Sequence, residues 1–108
     1  MDHPDRDLTR VIVRAFADGA VAHSWIGRQL PRLFRQAGLA EVSACPVTVP
    51  VHPGFFRMMF GNHVSRLVAD GTLTGGQASR WWSQLDELAD SGGFLAAVLF
   101  FLVAATRP

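Results

Sequence analysis

Few residues in this 108-residue chain have the types and spacing for chemistry, and they concentrate at its start. Asp2-His3-Pro4-Asp5 sets two carboxylates around a histidine, an arrangement able to exchange protons if it faces a pocket. As a solvated N-terminal turn the same residues would do nothing. The other histidines, at positions 23, 52 and 63, show neither the HExxH spacing nor any Cys/His ligand pattern. His63 falls on the apolar stripe of a helical pattern, where a hydrogen-bonded packed ring is the plain expectation. His52 precedes a proline at a strand end, a loop position. Ser24 has no neighbouring base and no flanking glycines of a nucleophile elbow, so helix capping accounts for it. Trp81 and Trp82 are adjacent, about 100° apart on a helix, so they cannot both face one core centre. The glycine pairs 75–76 and 92–93 do not follow a strand into a helix, so they are not phosphate loops.

The elements that must position these residues follow from composition and period. Apolar residues make up 49% of the chain and charged residues 18%, with three Trp and eight Phe, the opposite of a disordered composition. A chain this long buries roughly 60 to 70% of its unfolded surface, enough for one core, so residues 1–108 are expected to form a single domain. Ten basic residues, all arginine, against nine acidic ones leave a net charge of +1, with no nucleic-acid footprint. The single cysteine, Cys45, cannot form an internal disulfide, and a reducing, cytoplasmic setting is expected. The longest uncharged apolar run, residues 94–105, falls short of the roughly 20 residues of a membrane span, and no membrane association is expected.

Leu8, Val11, Ile12, Ala15 and Phe16 recur at helical spacing, with Asp7 as the predicted N-cap and Gly19 as the stop. A second helix is predicted over 24–37, with Pro31 kinking or splitting it and Gly38 at its C-terminal cap. Residues 41–52 alternate with period two and carry Pro46 and Pro50, the mark of an edge strand. His52-Pro53 opens a helix that runs to Asp70-Gly71, and Thr74 with Gln77 forms a capping-box spacing at the head of the next. Residues 94–105 read as a strand buried on both faces. Two strands make a poor sheet alone, and a strand apolar on both faces needs neighbours on both sides, so the pattern is that of part of a larger sheet.

The run Trp25-Ile26-Gly27-Arg28-Gln29-Leu30-Pro31-Arg32-Leu33-Phe34-Arg35-Gln36-Ala37-Gly38-Leu39 resembles the C-terminal part of class I S-adenosylmethionine-dependent methyltransferases, close to small-molecule enzymes common in actinobacteria. The leading Asp2-His3-Pro4-Asp5-Arg6, the alternating residues 42–51 and the ending 93–105 fit the same resemblance, which covers nearly the whole chain. It implies the C-terminal portion of a Rossmann-like α/β fold, α+β when taken alone, with four helices and an antiparallel pair made of an edge strand and an inserted strand. Residues 53–90 would be a helical insertion covering a small-molecule acceptor, with Trp25, Phe56 and Met59 as walls and His3 as a polar contact. The family's cofactor half, with its glycine-rich loop and ribose-binding acid, is not in this sequence. No catalytic or cofactor-binding residue carries over, and no S-adenosylmethionine binding is expected of this chain alone. The expected partner is a missing N-terminal half or a second copy forming a homodimer; a non-enzymatic module pairing through its sheet edge is the alternative.

Overall fold

A computed structural model describes residues 1–20 and 26–108. The architecture is mixed α and β: four α-helices and a two-stranded antiparallel sheet. The described residues fall into two compact units, one of residues 1–20 and 50–96, the other of 26–49 and 97–108.

The first unit is helical. Helix α1 spans Arg6–Ala15 and is capped two residues earlier than the sequence suggests. Asp5, not Asp7, is the N-cap: its carboxylate accepts the Leu8 N–H at 3.0 Å. Gly19 is not the stop either, because the α-helix gives way at Phe16 to a π-helical turn, Phe16–Ala20. Helix α3, Pro53–Ala69, begins as predicted. His52 caps it through Nδ1, which accepts the Gly54 N–H at 3.1 Å, and Pro53 occupies the first turn, where its missing N–H costs nothing. Helix α4, Gly75–Asp90, carries the full capping box: Gln77 N–H donates to the Thr74 hydroxyl at 3.1 Å, and Thr74 N–H donates to the Gln77 side chain at 2.9 Å. Gly92, at φ 77°, ends this helix in a Schellman turn, with Gly93 N–H reaching back to the Leu88 carbonyl at 2.7 Å.

The core of this unit is aromatic. Phe56 stacks on Phe60 at 4.3 Å, Phe60 stacks on Phe16 at 4.3 Å, and Trp81 is fully buried. Phe94, predicted to start the last strand, instead packs edge-on against Phe56. The two tryptophans divide as their spacing requires: Trp82 is half-buried, with the Arg57 guanidinium 4.6 Å above its ring.

The second unit holds helix α2, Ile26–Gln36, and strands β1, Ala40–Pro50, and β2, Ala97–Thr106. Pro31 lies inside α2, and the predicted start of this helix near Ser24 lies outside the described residues. Gly38, at φ 86°, terminates it in a second Schellman turn, Leu39 N–H donating to the Phe34 carbonyl at 3.1 Å. The strands run antiparallel, with the Thr106 hydroxyl 3.2 Å from the Ala40 carbonyl. Helix α2 packs against β2, so closely that a Cβ on Gly27 would come within 2.9 Å of the Phe101 ring.

One expectation fails here for a physical reason. Strand β2 is not buried on both faces: Phe101 and Val103 are half-buried, while Phe100 and Leu102 are 51% and 63% exposed. A two-stranded sheet with one packed helix supplies cover for one face only. No helix among the described residues is long and apolar enough to cross a membrane.

Candidate functional site

The residues singled out at the chain's start do come together, but as a closed structure rather than a solvated turn. His3 is only 3% exposed. Its Nδ1 accepts the Asp5 N–H at 2.9 Å, which leaves the proton on Nε2, and Nε2 donates to the Trp81 carbonyl at 3.2 Å. The Trp81 indole N–H donates to the Thr9 hydroxyl oxygen at 2.9 Å, and that hydroxyl donates to the Asp5 carbonyl at 2.7 Å. Four groups thus form a ring of hydrogen bonds in which both His3 nitrogens, the indole N–H and the Thr9 hydroxyl proton are used. The His3 ring also stacks on Trp81 at 5.4 Å.

This arrangement changes the chemistry available. A general base needs a free lone pair facing substrate. Both His3 nitrogens are committed inside the protein, so His3 serves as a tie between the N-terminal turn and α4, not as a polar contact to an acceptor. The sequence showed the histidine and its carboxylate neighbours; it could not show Trp81, 78 residues from His3 and 72 from Thr9, closing the ring.

Two of the predicted acceptor walls fall among the described residues, both on α3. Phe56 is 4% exposed and belongs to the aromatic core, Met59 is half-buried, and Trp25 lies outside the described residues. The apolar side chains that α3 offers to solvent are Phe55, 48% exposed, and Met58, 68% exposed. His63 is buried as expected, edge-on to Phe16 at 5.7 Å, yet its Nε2 has no hydrogen-bond partner among the described residues. Asp70 closes α3, and the Thr72 hydroxyl and amide, donating at 2.6 and 2.9 Å, hold its carboxyl below the ordinary carboxylate value.

Two clefts lie along the exposed side of α1. One, of about 290 Å³, is lined by Met1, Asp2, His3, Arg6, Thr9 and Arg10. The other, of about 560 Å³, shares Met1, Thr9 and Arg10 with it and adds Val13, Arg14 and Ala17.

Among the described residues, no glycine-rich turn joins a strand to a helix. A nucleotide-type cofactor such as S-adenosylmethionine sits at a glycine-rich turn between a strand and the N-terminus of a helix. The one strand-to-helix junction among the described residues is β1 to α3, where Val51-His52-Pro53 supplies a side-chain cap and a proline instead.

Comparison with known proteins gives one informative likeness. The whole chain is 35% identical, over 116 aligned residues, to an uncharacterized 37.1 kDa protein in transposon Tn4556 of Streptomyces fradiae. The match covers 31% of that protein, so the chain spans about a third of the length of the curated relative it matches. No family model matches the chain, and no solved structure matches it.

Proposed function

We propose that this chain is the acceptor-side segment of a Rossmann-like, S-adenosylmethionine-dependent methyltransferase acting on a small molecule, catalytically silent without its cofactor half. The carrying observation is the unfinished state of the second unit. None of its described residues is fully buried, and β2 keeps an apolar face and one unpaired edge in solvent. A sheet in this state is completed by more strands. The order of elements supports the same reading: an edge strand with two prolines, a helical hairpin, then a returning antiparallel strand. A relative about three times as long is consistent with further strands elsewhere in such a protein.

In this reading, the chain's own residues bind and shape the acceptor side and perform no step on the cofactor. Titration of the chain with S-adenosylmethionine by calorimetry is expected to give no binding, and the part of the Tn4556 protein outside the matched stretch is expected to contain a strand, a glycine-rich loop and a helix in succession. Micromolar binding by this chain, or the lack of that succession, overturns the proposal.

The uncharged, proline-free β2 edge favours a second reading, a non-enzymatic module that pairs through this edge with another copy. A stable monomer in sedimentation at micromolar concentration excludes it.

A further inference from the structure

We propose that the two adjoining clefts along α1 form one binding site for a small carboxylate carried on an apolar body. The argument starts from what the floor cannot do. His3 and Thr9 line the smaller cleft, but the hydrogen-bonded ring with Trp81 and Asp5 uses both His3 ring nitrogens and the Thr9 hydroxyl proton. The floor is therefore fixed in place and offers a ligand no side-chain donor. The groups left to meet a polar head are the guanidiniums of Arg6 and Arg10, one helical turn apart on the same side of α1. Guanidinium donates and never accepts, so the head must be an acceptor, and a planar carboxylate matches its two-pronged geometry. Arg6 has no ion-pair partner among the described residues. Arg10 meets Asp7 at 3.6 Å with both side chains exposed, a contact weak enough to yield to a ligand. Asp2 in the same cleft disfavours a dianion, which selects a singly charged carboxylate over a phosphate.

The larger cleft continues from Arg10 toward the end of the helix. Val13 and Ala17 line it, with Arg14 beside them engaged by Asp18 at 3.8 Å. Val13 is 39% exposed, an apolar side chain left in solvent beside the packed Leu8, Thr9 and Ile12 face of its helix. A ligand with its carboxylate at Arg6 and Arg10 lays its apolar part over Val13 and Ala17. The site stands on the helical unit alone, so it survives or fails independently of the methyltransferase reading.

Octanoate, below its micelle concentration, is a sufficient probe. Titrated into the isotope-labelled chain and followed by amide NMR, it is expected to give saturable shifts confined to residues 1–17. Arg6→Gln with Arg10→Gln is expected to weaken binding at least about tenfold, as is Val13→Asp at the apolar end. All three positions are exposed, so unchanged melting of the variants separates lost binding from lost folding. Octan-1-ol, with the same tail and no charge, is expected to bind at least about tenfold more weakly than octanoate. Absence of saturable shifts, unchanged octanoate affinity in the double arginine variant, or equal binding of the alcohol overturns the site.

Discussion

The two units of this chain solve the burial problem to different degrees. Every buried apolar side chain among the described residues lies in the helical unit: Leu8 and Ile12 on α1, Phe56, Phe60, Val64 and Leu67 on α3, Trp81 and Leu85 on α4, with Val51, Leu73, Ala78 and Ala96 around them. The strand unit has apolar residues in plenty but no fully buried side chain. Its helix α2 has an amphipathic pattern, yet none of its residues is buried. Composition is therefore not what separates the units. The helical unit has three helices on which to close a core. The strand unit has one helix and a sheet only two strands wide, too narrow to enclose anything.

The difference is open to direct attack, and the largest effect falls on Trp81. Its side chain is 0% exposed, touches Phe56 at 6.0 Å and Trp82 at 4.9 Å, and donates to Thr9. Trp81→Ala is expected to cost about 3–5 kcal/mol in urea unfolding, a large share of the roughly 5–15 kcal/mol a domain possesses. Leu102→Ala on the exposed face of β2 is expected to stay within about 0.5 kcal/mol in this chain. If the two variants lose similar stability, β2 is buried in solution and the contrast between the units collapses.

A smaller effect isolates the ring of hydrogen bonds from the packing around it. Thr9→Val keeps the shape of the side chain but removes the acceptor for the Trp81 indole and the donor to the Asp5 carbonyl. A buried donor left without a partner costs about 1–3 kcal/mol. Thr9→Ser, which restores the hydroxyl, is expected to recover most of that loss. A Val variant as stable as the original protein would mean the ring closes without contributing, leaving aromatic packing as the whole source of the helical unit's firmness.

Local rules made much of this legible in the sequence. The Thr74–Gln77 capping box, the His52-Pro53 helix start, the Gly38 stop and the proline-marked strand each depend on neighbours a few residues away. The readings that failed depend on distant partners. Asp5 displaced Asp7 as the cap of α1 because His3, anchored on Trp81, fixes the turn that presents Asp5. Phe94 left the strand because Phe56 offered a closer apolar surface. The candidate site suffered most: types and spacing left His3 between an acid/base cluster and a solvated turn, the resemblance made it a polar contact, and only the fold shows its lone pair already taken. Nothing in the local sequence around Arg6 and Arg10 marks the cleft they line.

The smallest expected effect concerns the turn that joins α3 to α4, and its sign follows from Asp70. Hydrogen bonds from the Thr72 hydroxyl, and then from the Thr72 amide, stabilise the ionised carboxylate and lower its folded pKa below 3.8. A lowered folded value means that ionised Asp70 favours the folded state at any pH above the unfolded value, and that this contribution disappears as pH falls through the folded one. Asp70 is exposed, so solvent screens the effect and its size is modest. Thr72→Val removes the larger of the two bonds. The variant is expected to melt slightly lower than the original protein at neutral pH, with the gap narrowing below pH 3.8. Because the turn belongs to the helical unit, amide exchange across β1 and β2 is expected to be the same in both proteins. A gap that persists unchanged in acid would assign the loss to the valine itself, and a change of exchange in the strands would show that the two units do not respond separately.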